Sequence, residues 1–283
     1  MKHQNQPKKH HFIPEFYQKG FQAEDGTLYV YNKIFGGIKS RNPAQILYEE
    51  HLHTIRIGGE STNIIEQYYS KIEGEFSKCT EFLKNNIQNP CILTELKSNQ
   101  DFIRAAKIII ATQFWRTPCN RRRAIELSSK LLNLYDCACS ETKDLLGLER
   151  GFVKFISRHA TKDDSLKVAQ FILLPILTFK TSEETQKIKL YKTPSDTYLF
   201  TSDRPVIYDD INALFSFESV IFPISKELAF YATIDSQNKL DAAKINSLLA
   251  ARANKIVISA SRQQLENIKL NQESPSTAKE NNT

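Results

Sequence analysis

Four short stretches of the 283-residue sequence concentrate side chains able to move protons or hold anions: KHHFIPEFYQKGF at 9–21, IEQYYSKIEG at 65–74, QFWRTPCNR at 113–121 and TSDRPV at 201–206. In the first, His10 and His11 are candidates for general acid–base chemistry, because imidazole titrates near neutral pH and transfers protons without a metal. Two adjacent histidines cannot easily point the same way, so His11 is expected to face inward as the catalytic group and His10 to contact substrate. The competing structural explanation carries more weight for this residue type: His11 bonds a backbone group at a helix start while Pro14 sets the first turn.

In the second stretch Glu66 and Glu73 lie seven residues apart, on one helix face and about 10 Å apart along the axis, too far to hold one metal by themselves. Glu73, following the tyrosines into Gly74, is the expected catalytic or orienting carboxylate, although a helical glutamate is more often solvated. Gln113 and Arg116 are neighbours one helical turn apart, with Arg121 beyond Pro118. The planar guanidinium fork suits phosphate or carboxylate, and the three residues are candidate substrate contacts. A buried ion pair from Arg116 to Glu73 or Asp203 that fixes two layers of the fold is an equally weighted reading. Ser202 and Asp203 leave a strand into a turn, where such side chains commonly bond nearby amides. There Asp203 could accept a proton and Ser202 touch substrate. A metal would need carboxylates converging from Glu73 or Asp196, which spacing cannot establish. No metal-ligand pattern is evident, and a divalent cation is compatible with the motifs without being indicated by them.

Taken in order, the four stretches resemble the family named domain of unknown function 4238. The likeness extends over nearly the whole chain through a late proline and small polar residue, Phe222-Pro223-Ile224-Ser225, and a helix asparagine, Asn246. Around His51-Leu52-His53 the sequence departs from that pattern, so the resemblance assigns no role to those histidines. It implies a bacterial, cytoplasmic type of protein whose activity is not established.

The elements that must position these residues follow from composition and periodicity. Hydrophobic residues at 41% and charged residues at 25% are ordinary for a globular protein, and the net charge of +6 permits phosphate-bearing partners such as RNA or DNA. Five cysteines without paired spacing argue against a disulfide framework or a standard zinc site, and favour a reducing cytoplasm. The first residues lack the apolar core of a secretory signal, and 168–179 is too short to span a bilayer, so no membrane association is expected. P-loop, dinucleotide, serine-hydrolase-elbow and zinc-protease helix signatures are all missing. Aromatic residues Phe12, Phe16, Tyr17 and Phe21 around Pro14 predict a short helical plug. Residues 27–33, with a turn at Gly36-Gly37, predict a hairpin. Helices are predicted from Ser61 or Thr62, over 94–115, over 121–134 and further to 180. Strands follow at 188–193, 198–201, 220–223 and 228–233, then a helix at 241–252, a strand at 255–259 and a helix at 263–270. The expected architecture is one α+β domain over 1–270, in which a central helical layer (about 61–180) packs on a mixed or antiparallel sheet built from the N-terminal hairpin and the C-terminal strands. A disordered polar tail is expected at 271–283. The functional expectation is a phosphodiester-cleaving enzyme, a nuclease of toxin-like or phage-defence type. The alternative is a non-catalytic nucleic-acid or nucleotide-binding module. The sequence does not specify oligomeric state.

Overall fold

Period-two segments at the two ends of the chain and helical periodicity between them give the layout of the computed structural model, which describes residues 8–57, 60–96, 98–182, 188–195, 197–233 and 240–273. The N-terminal part holds β1 (Lys9–His11), α1 (Glu15–Lys19), β2 (Tyr29–Asn32), β3 (Gly37–Ser40), β4 (Tyr48–Glu50), β5 (Ile55–Ile57) and β6 (Glu60–Thr62). The helical part follows as α2 (Ile64–Asn86), α3 (Pro90–Leu96), α4 (Gln100–Arg116), α5 (Arg121–Ser128), α6 (Leu131–Cys137), α7 (Ser140–Leu146), α8 (Arg150–Arg158), α9 (Asp163–Val168) and α10 (Leu174–Leu177). A π-helical turn at Ala169–Leu173 joins the last two. The C-terminal part contains β7 (Lys189–Lys192), β8 (Thr201–Ser202), α11 (Ile211–Phe215), β9 (Val220–Pro223), β10 (Leu228–Ala232), α12 (Ala242–Arg252), β11 (Ile256–Ser259) and α13 (Arg262–Glu273). The class is α+β, with antiparallel sheets beside a helical layer.

The N-terminal hairpin joins the C-terminal strands in a sheet of order β3-β2-β11-β8, with Tyr31 paired to both Ile38 and Val257. The remaining C-terminal strands form a second sheet, β7-β10-β9, where a single sheet was expected. Asn246 of α12 explains the division. Its Oδ1 accepts the Phe200 amide at 2.8 Å and its Nδ2 donates to the Tyr198 carbonyl at 2.8 Å, so a helix side chain satisfies backbone that would otherwise seek a neighbouring strand. The predicted strand at 198–201 is thereby cut to β8.

Local hydrogen bonding likewise subdivides the predicted helices. Asn99 accepts the Phe102 amide and starts α4 afresh, so 94–115 is two helices. Ser128 and Ser129 bond back to the Ile125 and Glu126 carbonyls and close α5 before Leu134. Ser61 and Thr62 pair with Arg56 and Ile55 in the β5–β6 hairpin and do not cap α2. Residues 271–273, expected in the polar tail, continue α13; 274–283 lie outside the described residues, as does Asp196.

The aromatic plug ties the layers together. The Tyr17 hydroxyl donates to the Pro223 carbonyl at 2.8 Å and shares a 2.8 Å bond with Thr201 Oγ1, linking α1 to both C-terminal sheets, while its ring stacks on Phe222 at 5.5 Å. In the helical layer Trp115 is fully buried and donates its indole N–H to Thr178 Oγ1 at 2.9 Å. No helix among the described residues is long and apolar enough to cross a membrane.

Candidate functional site

Strand alternation decides which N-terminal histidine turns inward. β1 pairs antiparallel with β4, and its burial alternates so that His10 is 3% exposed while His11 lies at the partly open edge. The expectation that His11 takes the inward position is therefore reversed. His10 meets His53, a fully buried residue in the turn leading into β5. That turn is bent by His51 in the left-handed region, φ 56°, and held from outside by Lys167 of α9, whose ammonium donates to the His51 and Thr54 carbonyls at 3.0 and 2.9 Å.

The His53 amide donates to His10 Nδ1 at 2.8 Å, which places the proton of neutral His10 on Nε2. The two imidazoles stack, centroids 5.3 Å apart and planes 15° apart. In the first turn of α2, Glu66 accepts a close hydrogen bond from His53 Nδ1, and its Oε1 lies 3.9 Å from His10 Nδ1. One ligand atom from each of His10, His53 and Glu66 falls within 4.8 Å of the other two, a grouping of two imidazoles and a carboxylate able to hold a metal ion. Tyr69 and Phe171 stand edge-on to His53 at 5.0 and 4.8 Å, Phe171 being delivered by the π-helical turn. Three buried polar atoms have no hydrogen-bond partner in this neighbourhood: His53 Nε2, His11 Nε2 and the Tyr69 hydroxyl. Such atoms are uncommon in folded proteins, and each calls for an explanation.

Electrostatics keep His53 neutral beside an ionised Glu66. Burial pushes His53 down to about 4 against the raising effect of Glu66, so it is uncharged at neutral pH and its lone pair is available. Burial also lowers His11, opposed by Glu15, whose carboxylate lies 3.6 Å from His11 Nδ1. Desolvation opposes ionisation of Glu66, but the His53 bond and the charge of Arg116 outweigh it and hold Glu66 below its ordinary value. Burial raises the Tyr69 hydroxyl well above its ordinary value.

The remaining sequence candidates divide between support and other places. Arg116 donates Nε to the His11 carbonyl at 2.9 Å, pairs through Nη1 with Glu73 and lies 4.4 Å over the Tyr69 ring. Gln113 donates to the Phe12 carbonyl at 3.0 Å. These three residues fasten β1 to α2 and α4. Of the two glutamates, Glu66 meets the histidines and Glu73 meets the arginine. Arg121 is exposed and bonds Asp163 at 2.6 Å. Asp203 is buried on a different part of the fold, where its oxygens accept the Asn254 and Lys255 amides at 2.9 and 2.7 Å and clamp the entry to β11. Desolvation raises its pKa, partly offset by those amides. Ser202 is fully buried and its Oγ accepts the Arg204 amide at 3.0 Å. The groups acting on His11 are Glu15, Arg116, Pro43 and Glu66, and Asp203 is not among them.

Residues 9–265 match the family described as protein of unknown function, DUF4238. The chain belongs to that family. No curated protein and no solved structure matches this DUF4238 chain. Sequence reasoning missed His53 as a member of the site, because its partner His10 is 43 residues away and nothing in the spacing announces the contact. The available signal was indirect: a histidine just before the segment that forms β5, with a glutamate in the first turn of the next helix.

Proposed function

We propose that this protein is a metal-assisted phosphodiester hydrolase of nuclease type, with a divalent cation held by His10, His53 and Glu66. The observation that carries this reading is the convergence of those three ligand atoms beside orphaned, buried polar atoms. Two imidazoles and one carboxylate are a donor set that would suit a first-row divalent ion. His10 Nδ1 accepts the His53 amide, so it would hold an ion only by giving up that bond. Glu15, Glu66 and Glu73 lie around the site and are each partly exposed, Glu73 being paired with Arg116. The remaining carboxylates repel a phosphodiester, so a cation would make the site compatible with that substrate. When bound, the ion polarises a phosphoryl oxygen and lowers the pKa of water. His11, at the partly open edge, is the proton carrier of the proposal. It accepts a proton as water oxygen bonds to phosphorus, and returns it to the departing ester oxygen as that P–O bond breaks. Arg116 acts by positioning, since its guanidinium holds the His11 backbone.

A second reading, binding of nucleic acid or nucleotide without catalysis, is favoured by one observation: the net charge of +6, which permits phosphate-bearing partners. Labelled RNA, DNA and nucleotides incubated with the protein and Mn2+, Mg2+ or Zn2+ separate the two. Metal-dependent cleavage that disappears in Glu66→Gln and His11→Ala supports the hydrolase. Metal binding measured calorimetrically is expected in the parent and in His11→Ala, and weakened at least about tenfold in Glu66→Gln. Cleavage unchanged in both variants would sink the proposed site, and salt-dependent binding without cleavage would favour the second reading.

A further inference from the structure

The TSDRPV turn and the QFWRTPCNR stretch, whose other side chains fasten the fold, jointly wall a second cavity. It has a volume of about 390 Å3 and is lined by Arg123, Arg204 and Arg252 together with Phe114, Asn120 and Tyr208. Aromatic rings support two of the guanidiniums. Arg252 lies 4.3 Å over the Tyr208 ring and Arg123 lies 5.9 Å from the Phe114 centroid, and the two rings meet edge-to-face at 5.8 Å. Arg123 also donates to Asn120 Oδ1 at 3.3 Å, and Asn120 is itself anchored to the Phe114 carbonyl at 2.6 Å. Arg204 has a buried Nε–H without a hydrogen-bond partner. Among the described residues, none of the three arginines forms an ion pair with a carboxylate, in contrast to Arg116, Arg121 and Arg150, which all do. Asp203 is the acidic neighbour of Arg204, but its two oxygens already accept the Asn254 and Lys255 amides.

Three like charges gathered around one concavity repel each other, and an oxyanion is the ligand that reverses that cost. Guanidinium groups offer forked N–H pairs matched to phosphate oxygens. We infer that this cavity is a binding site for a small phosphate-bearing molecule, with the phosphate held by Arg123, Arg204 and Arg252. The cavity falls in the range of about 300–1,000 Å3 typical of small-molecule sites, large enough for a diphosphate and an attached group of nucleoside size. The inference does not depend on the hydrolase reading, since none of these arginines belongs to the histidine–glutamate cluster.

Calorimetric titration of the full chain with inorganic pyrophosphate and with adenosine diphosphate tests it, beside Arg252→Gln, Arg204→Lys and the remote Arg262→Gln. Binding of pyrophosphate by the parent is expected, weakened by about tenfold or more in Arg252→Gln and Arg204→Lys and unchanged in Arg262→Gln. Lysine keeps the charge but loses the fork, so weakening in Arg204→Lys distinguishes a shaped site from general basicity. A readout free of mutation is alkylation of Cys119, which lines the cavity, against Cys91, which is exposed elsewhere. Pyrophosphate should slow modification of Cys119 and leave Cys91 unchanged, as followed by peptide mass spectrometry. Failure of the parent to bind either phosphate compound overturns the inference, as do binding unaltered in both pocket variants and equal labelling of Cys119 with and without pyrophosphate. Binding confined to a single-stranded oligonucleotide, with no binding of pyrophosphate or adenosine diphosphate, also overturns it and assigns the arginines to a nucleic-acid surface. Loss of metal binding at Glu66 would leave this result untouched, so the two proposals fail separately.

Discussion

Two polar regions of this molecule use charge in opposite ways. Around His10, His53 and Glu66, histidine, carboxylate and guanidinium groups are linked to one another and to backbone, and burial holds His53 neutral. Around Arg123, Arg204 and Arg252, cations line an open cavity without carboxylate partners among the described residues. The first arrangement makes the fold depend on its polar groups. The second leaves their binding capacity for something outside the chain. Perturbing the Arg116–Glu73 support of the first should therefore register mainly in stability, and perturbing the second mainly in ligand affinity.

The strongest test of that contrast is Arg116→Ala. It leaves the Glu73 carboxylate without its partner, removes the donor to the His11 carbonyl and strips the cation from the Tyr69 ring. Removing one partner of a largely buried pair costs about 3–5 kcal/mol, and the lower end applies here because Glu73 is 30% exposed. Denaturant unfolding should show a loss of about 3 kcal/mol, whereas Arg252→Gln should lose less than about 1 kcal/mol. Equal losses in the two variants would erase the distinction.

Next in size is the response to acid. His53 titrates at about 4 in the folded state, below its ordinary 6.5, so the unfolded chain binds the proton more readily. Stability from this residue is fully present above pH 6.5 and is lost as pH falls from there to about 4, by about 3 kcal/mol. Asp203 has the opposite sign. Burial raises its pKa, so its contribution is fully present below its ordinary 3.8 and declines as pH rises through the folded value. Unfolding midpoints measured from pH 7 to 4 should therefore fall in the parent and fall less steeply in His53→Leu. An identical slope in both would show that His53 is not the buried titrating group. A smaller loss, about 2 kcal/mol, is expected for Asp203→Ala at pH 7, because it strands the Asn254 and Lys255 amides. Asp203→Asn, which keeps one acceptor oxygen, should lose about half as much by the same measurement.

How much of this was legible in the sequence depended on the range of the interaction. The α+β class, the hairpin at Gly36-Gly37 and the strand at 220–223 rest on local periodicity and turn chemistry, and the fold contains them. The split of the C-terminal strands into two sheets was not legible, because it hangs on one side chain, Asn246, reaching residues 46 and 48 positions away. The Arg116–Glu73 pair was readable as one of two alternatives, since both residue types and their helical faces were known. The inward histidine was misassigned because the start of the chain was read as a helix approach, while residues 9–11 pair as a strand with β4 and obey its alternation. Arg123, Arg204 and Arg252 could not be grouped in advance. They come from α5, the turn after β8 and α12, and only the tertiary fold brings them to one cavity.

The smallest effect sharpens the contrast most economically. Arg121 was a candidate phosphate contact on sequence grounds, yet its side chain is 44% exposed and paired with that of Asp163, itself 54% exposed. Asp163 also meets Lys167 at 3.1 Å, so removing Arg121 does not leave the carboxylate alone. An exposed pair of this kind contributes about 0–1 kcal/mol and is screened by salt. Arg121→Gln should accordingly shift unfolding by less than about 1 kcal/mol at moderate ionic strength, and leave pyrophosphate binding within twofold of the parent. Arg121 and Arg123 sit two positions apart at the start of α5 but face different surroundings, one a surface carboxylate and the other the cavity. If Arg121→Gln weakens pyrophosphate as much as Arg252→Gln does, the anion is held by the general field of the α5 arginines, and the distinction between a partnered and an unpartnered guanidinium loses its force.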